Sequence, residues 1–264
     1  MPGKVIVITS GKGGVGKTTT CANIGAGLAN HGYKTVLIDA DIGLRNLDVV
    51  MGLENRIVFD LVNVVEKTCK IRQALIKDKR FENLYLLPAA QTKEKDAVKP
   101  EQMVELCNEL RKEYDYILID CPAGIEQGFK NAVAGAEQAI VVTTPDVSAV
   151  RDADRIIGLL QAREIAEPRL IINRLRPEMV RKGDMMDIND VNDILAISLL
   201  GIVPDDETII TSTNRGEPAV LDSSSRAGEA FRNIVARIKG EDVPFMSFDF
   251  DLGFMDKLKR FIKK

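Results

Sequence analysis

Histidine and cysteine are scarce in this 264-residue chain, and the few present are poorly placed for metal or nucleophilic chemistry. His31 is the only histidine, so one copy of the chain can assemble neither a histidine-based triad nor a multi-histidine zinc site. Its place beside Gly32, at the end of an apolar-periodic stretch, predicts a helix C-terminal cap. The four cysteines, Cys21, Cys69, Cys107 and Cys121, include no Cys-x-x-Cys pair. They read as free thiols in a reducing cytosol, although single cysteines of two copies can still meet across a dimer axis. Long apolar runs are missing too, since no stretch approaches the ~18 residues that a bilayer-spanning helix requires. Neither a signal-type h-region nor an arginine-rich presequence precedes the first predicted strand at Val5, which predicts a cytosolic protein. The net charge of −3 provides no global basic field of the kind a nucleic-acid binder carries. No internal repeat or low-complexity tract is present.

What the chain does have is concentrated near its start. Gly11-Lys12-Gly13-Gly14-Val15-Gly16-Lys17-Thr18 fits the phosphate-binding template G-x-x-x-x-G-K-[ST] and places a second lysine, Lys12, inside it. Val5-Ile6-Val7-Ile8-Thr9 before it is β-branched and apolar, as a buried parallel strand requires, and Thr18 to Asn30 carries Ile24 and Leu28 at helical spacing. A strand–loop–helix setting lets backbone N–H groups converge on phosphate oxygens, with the helix N-terminus adding partial positive charge. The candidate nucleotide contacts are therefore Gly11, Lys12, Gly13, Gly14, Val15, Gly16, Lys17, Thr18 and the adjoining Thr19. Lys17 is expected to reach terminal phosphates, and the Thr18 hydroxyl to ligate Mg²⁺.

Two further strands end in carboxylates. Thr35-Val36-Leu37-Ile38-Asp39 leads into Ala40-Asp41, and Tyr116-Ile117-Leu118-Ile119-Asp120 leads into Cys121-Pro122-Ala123-Gly124-Ile125-Glu126. Ligands gather at the C-terminal edge of open α/β sheets, so both loops belong to the candidate site. Asp120 reads as the acid that holds Mg²⁺ directly or through water, and the Gly124 backbone can approach a terminal phosphate closely. Asp39 is expected to help hold the metal's water shell. The ordinary alternative for Asp41 is a cap on the following turn.

Further strands are predicted over 84–87, 139–143, 170–173 and 200–203, with helices over 101–111, 147–163 and 223–239. This alternation predicts a single α/β domain with a mostly parallel, twisted sheet and helices on both faces, and the phosphate loop at residues 11–18 makes it a P-loop NTPase. The ATPase domain is expected over 1–240, an acidic linker over 241–252, and a terminal helix over 253–264. Proline and glycine placement from Arg176-Pro177 to Gly183 predicts a mobile loop. On a helical wheel Phe254, Met255, Leu258, Phe261 and Ile262 share one arc of about 120°, from the 100° step per residue. Lys257, Lys259, Arg260, Lys263 and Lys264 fall outside it. Such a pattern suits an interfacial anchor on an anionic membrane, with Phe254, Leu258, Lys259, Phe261 and Ile262 as its contacts. A terminal amphipathic helix packed on its own domain is the competing arrangement. Roughly 12 residues are too few for a stable helix in water, which favours the membrane.

The segment Lys12-Gly-Gly-Val-Gly-Lys-Thr resembles the deviant Walker A loop of the MinD/ParA family of ATPases, and the likeness extends over essentially the whole chain. Gly43-Leu44-Arg45-Asn46-Leu47-Asp48, Pro122-Ala123-Gly124-Ile125-Glu126, Val150-Arg151-Asp152-Ala153-Asp154-Arg155, Gly216-Glu217-Pro218 and the tail resemble its septum-placing members in particular. The resemblance implies an ATP-sandwiched homodimer in which Lys12 crosses to the partner's nucleotide, with ATP and Mg²⁺ as cofactors. It implies Lys12, Lys17 and Asp41 as catalytic residues, Asp41 orienting the attacking water. Thr18, Asp41 and Asp120 would be the metal set, and Asn173, Pro204 and Asp205 would cradle the adenine. Asp152 would contact a regulator, against the alternative of a solvated helix face. The implied partners are a MinC-like division inhibitor and a MinE-like regulator or polar scaffold, and the implied activity is slow, partner-stimulated ATP hydrolysis coupled to membrane attachment. The rivals are a ParA-like DNA-partition ATPase, a non-catalytic ATP-stapled scaffold and a flagellar-number regulator.

Overall fold

Alternation along the first strand organises the molecule. In β1 (Lys4–Thr9), Val5 and Val7 face one hydrophobic layer while Ile6 and Ile8 face another, and all four are buried. Apolar residues on both sides of a strand mean that both sheet faces are covered. Each such side chain contributes about 1.5–3 kcal/mol on burial.

The computed structural model describes residues 2–165 and 167–248. The remaining strands among them are β2 (Thr35–Asp39), β3 (Ile76–Lys77), β4 (Leu84–Leu87), β5 (Tyr116–Asp120), β6 (Gln138–Thr143), β7 (Arg169–Leu175) and β8 (Ser198–Pro204). The helices are α1 (Lys17–Asn30), α2 (Leu47–Val50), α3 (Leu61–Val65), α4 (Ile71–Ala74), α5 (Pro100–Leu110) and α6 (Gln127–Ala134), followed by α7 (Val147–Gln161), α8 (Pro177–Lys182), α9 (Ile188–Leu195), α10 (Thr208–Arg215) and α11 (Arg226–Lys239). The strands form one sheet of eight in the order β3-β4-β2-β5-β1-β6-β7-β8. Every pairing is parallel except β3 with β4, which makes the expected single α/β domain with an antiparallel edge. Helices α3, α5, α6, α7 and α9 cover one face, and α1, α2 and α11 cover the other.

The order places β1 between β5 and β6, so the chain winds outward in both directions from the centre. That reversal opens a crevice at the strands' C-terminal edge, where ligands bind in such sheets. Registered pairs Asp39↔Asp120 and Ile8↔Asp120 bring the ends of β2, β5 and β1 level with one another.

The predicted mobile loop over 176–183 is instead helix α8. Pro177 occupies its first turn, where a missing N–H costs nothing, Glu178 complements the helix start, Arg181 and Lys182 complement its end, and Gly183 caps it at φ 78°. Proline and glycine here are helix boundaries rather than breakers. The first part of the expected linker lies against the domain. After the Gly240 cap of α11, Arg237 donates to the carbonyls of Val243 and Pro244 and lies 4.2 Å from the Phe245 ring centroid. Phe248 is buried against Leu175 and Ile202 at the β7–β8 edge. The predicted tail helix with Phe254, Leu258, Lys259, Phe261 and Ile262 lies outside the described residues. Among the described residues no helix is long and apolar enough to cross a membrane.

Candidate functional site

The loop between β1 and α1 is held in place by its surroundings. Gly16 takes φ 97°, and a Cβ there would stand 2.3 Å from Nδ2 of Asn173, so only glycine fits. Asn173 Nδ2 in turn donates to the Val15 carbonyl at 2.8 Å, tying β7 to the loop. At the loop's other end a Cβ on Gly11 would meet the Asp152 backbone at 2.3 Å. The start of α7 thus leans directly on the loop backbone. Gly13 and Gly14 lie exposed at the tip, and Val15 is buried.

The two loop lysines face different surroundings. Lys17, in the first turn of α1, is only 8% exposed and close enough to Asp120 to favour its ionised form. Lys12 turns outward, its side chain 47% exposed, donating to Ser148 Oγ at 2.7 Å and lying 3.8 Å from Asp146 Oδ1. Asp146 caps α7 through the Ala149 amide and accepts from Ser148 as well. Partial burial works to raise its carboxyl, but hydrogen bonds from Thr144, Ala149 and Ser148 outweigh it and hold the group below the usual carboxylate range.

On the inner side the carboxylates are crowded. Asp120 is buried beside the Thr18 hydroxyl, which favours its ionised form, and its Oδ1 has no hydrogen-bond partner. Burial and the neighbouring Asp39 push its carboxyl upward. Asp39 is raised by burial as well, against hydrogen bonds from the amides of Asp41 (3.0 Å), Leu47 (3.1 Å) and Asn46 (3.2 Å). Those three bonds make Asp39 an anchor of the following loop and leave acceptor capacity on its carboxylate for a water. Asp41 stands half-buried at the start of that loop. Gly124, at φ 92°, donates its amide to Ser10 across the mouth.

A buried, unpartnered carboxylate oxygen beside a threonine hydroxyl is suited to a hard cation, which takes oxygen ligands. Thr18 and Asp120 therefore fit Mg²⁺. Next to the loop lies a cavity of about 490 Å³ lined by Gly16, Thr19, Asn173, Pro204, Asp205, Ile209 and Ile210 among others. Its predicted members thus come together, although the side-chain amide of Asn173 is already engaged with the loop. Arg174 and Arg176 also line it, and Arg176 pairs with Asp205 at 2.5 Å. Asp206 pins the cavity rim by accepting from the amides of Thr208 and Ala227 and from Ser225 Oγ. Sequence reading missed these three residues. The only local signal was the Asn173-Arg174-Leu175-Arg176 run at a strand end, since Arg174 is displayed by a bulge in β7 and a backbone φ of 56°. Asp152 is half-buried against Gly11 rather than fully displayed, while its neighbours Arg151, Asp154 and Arg155 are exposed. A separate groove of about 620 Å³ between α3, α4 and α5 contains no motif residue.

Comparison with known proteins agrees with this geometry. A family model described as an AAA domain matches residues 3–166. The septum site-determining protein MinD of Bacillus subtilis is 60% identical over 262 residues, covering 98% of both chains. The MinC:MinD cell division protein complex of Aquifex aeolicus contains a chain that superposes with a TM-score of 0.87 at 47% identity, covering 93% of this chain and 99% of that one. The septum site-determining protein MinD of Pyrococcus horikoshii, complexed with Mg-ADP, superposes with a TM-score of 0.81 at 32% identity, covering 89% and 95% respectively. With likeness of this depth along nearly the full length, the chain belongs to the MinD family of P-loop NTPases.

Proposed function

We propose that the chain is an ATP-hydrolysing switch that pairs with a second copy when ATP is bound, attaches to the inner membrane surface through residues 253–264, and positions the cell-division site by carrying a MinC-like septum inhibitor there. The observation that carries this reading is the outward turn of Lys12. Lys17 already serves the chain's own phosphate site from inside, so the second lysine is available to a nucleotide held by a partner. Leu44 (64% exposed), Ile125 (41%) and Val147 (74%) are exposed on the loops beside the phosphate loop and at the start of α7, as a face that is covered on pairing would have them. The complexes of relatives with Mg-ADP and with MinC support the nucleotide and the inhibitor.

The chain's own residues have distinct tasks in this reading. Backbone amides from Gly13 to Thr18 surround the phosphates and Lys17 neutralises them. The Thr18 hydroxyl keeps its hydrogen, directs it toward Asp120, and leaves its oxygen lone pairs for the metal. Bound Mg²⁺ would supply charge neutralisation at the phosphate oxygens. Asp41 orients the attacking water from the loop that Asp39 fixes, and the Gly124 amide follows the terminal phosphate. Pro204, Asp205 and the α10 start enclose the base. Loss of the terminal phosphate removes the contacts that hold both loops, and the pair separates.

One amphipathic tail binds a bilayer marginally, and two tails on one dimer raise avidity by about 10²–10⁴-fold. Membrane attachment then reports nucleotide state. The test is co-sedimentation with anionic liposomes under ATP plus Mg²⁺, under ADP, and under ATP with residues 253–264 removed, with phosphate release followed in parallel. Pelleting that needs both ATP and the tail is expected. Pelleting indifferent to nucleotide, or none at all, overturns the reading and favours DNA partition.

A further inference from the structure

An ion pair outside the phosphate loop, with its carboxylate buried and its guanidinium reaching the surface, joins two elements that frame opposite ends of the site. Asp78, buried just after β3, accepts from Arg80 Nε at 3.0 Å and Nη2 at 2.6 Å. The same guanidinium donates from Nη1 to the Gly216 carbonyl at 2.5 Å and from Nη2 to the Met51 carbonyl at 2.8 Å. A planar fork with donors on both edges can hold two backbones at once, which lysine cannot do.

The clamped backbones touch. Gly52 has φ 65° and Gly216 φ 66°, and a Cβ added to Gly216 would lie 2.5 Å from the Gly52 Cα. Met51 caps the C-terminus of α2, whose first amide, that of Leu47, donates to Asp39. Gly216 caps α10, whose opposite end lines the base cavity through Ile209 and Ile210. A four-residue helix and an eight-residue helix cannot flex much internally, so fixing their far ends fixes their near ends.

We propose that Arg80, anchored by Asp78, is a positioning residue of the nucleotide site. By clasping α2 to α10 it sets the loop carrying Asp41 and the base-cavity rim in one arrangement. The inference rests on the nucleotide-switch reading above.

The test uses full-length protein with Arg80→Lys, which keeps the charge, and Arg80→Gln, which does not. Fluorescent ADP and ATP affinities, ATP turnover and amide hydrogen exchange are measured well below each variant's melting temperature. Kd for both nucleotides is expected to rise, turnover at saturating ATP to fall, and exchange to accelerate at Leu47 and at residues 209–211, by about 2–30-fold each. Arg80→Lys should show the same pattern more weakly, and it carries the test if Arg80→Gln does not fold. A lowered melting temperature with unchanged Kd, turnover and exchange at those amides overturns the inference and makes the clasp purely structural. Wild-type protein that binds no nucleotide overturns the switch reading and this inference together.

Discussion

The inner and outer sides of one loop are built on opposite principles. Inside, Asp39 and Asp120 end buried strands with Lys17 and Thr18 beside them at the start of α1, and their charges are confined with one another. Outside, Lys12, Ser148 and Asp146 form a half-exposed chain of hydrogen bonds that solvent or another surface can replace. A buried lysine at a strand–helix junction can act only on what enters its own crevice. An exposed lysine whose partners are a hydroxyl and a surface carboxylate exchanges them at little cost, because surface ion pairs contribute about 0–1 kcal/mol. The inner side is suited to holding a nucleotide, and the outer side to sensing whether a second molecule is present.

The contrast is sharpest if the two lysines fail differently. Lys17→Ala should remove nucleotide binding and lower phosphate release by about 10²–10³-fold or more, as loss of a positioned charge donor does; titration with fluorescent ADP and a phosphate-release assay check this. Lys12→Ala should leave ADP affinity of the single chain almost unchanged while reducing ATP-dependent liposome pelleting by about 10²-fold, the scale of lost bivalency. Sedimentation velocity should then find monomer in ATP. Equal losses in both variants would erase the distinction between the two sides.

The confined carboxylates give a pH signature. Burial and Asp39 raise the folded-state pKa of Asp120 to about 8, above its unfolded value. Its contribution to stability is therefore fully present below the unfolded pKa and is lost as pH rises through the folded one. Asp120→Asn should raise the melting temperature of metal-free protein near pH 8–9, by about 2–4 °C for each kcal/mol regained, with the gain shrinking toward pH 4. The same variant should lose the extra stabilisation given by Mg²⁺ with ADP. A gain that is independent of pH would mean that Asp120 is not strained by its neighbours.

The smallest effect is expected at the support. Asn173→Ala leaves the Val15 carbonyl without its donor, at a cost of about 1–2 kcal/mol in stability, and should weaken ADP binding a few-fold. Denaturant unfolding and the same titration measure both.

Legibility in the sequence followed the same division. The phosphate loop, Asp41, Asp120 and the strands that carry them were readable because each is a local pattern: a spaced glycine-lysine octet, or an apolar run ending in an acid. The cavity beside the loop was readable only in part, since Arg174 is presented by a bulge and Asp206 works through Thr208, Ser225 and Ala227. Asp39 was readable as an acid at a strand end, whereas the three amides it anchors are brought to it only by the fold. Helix α8 was hidden by reading Pro177 and Gly183 as breakers when they are its ends. β3 is two residues long and is defined by its partner strand, so no periodicity within it could reveal it.

The contact at Gly11 leaves no slack between the phosphate loop and the backbone of Asp152. In mechanical terms α7 is a pushrod bearing on the loop, with no cushioning side chain between them. A displacement of its first turns would therefore press on the loop backbone itself. The same contact makes position 11 unforgiving: it has no room for a single methyl group, so the geometry of a surface helix is written into the sequence of a loop more than a hundred residues away.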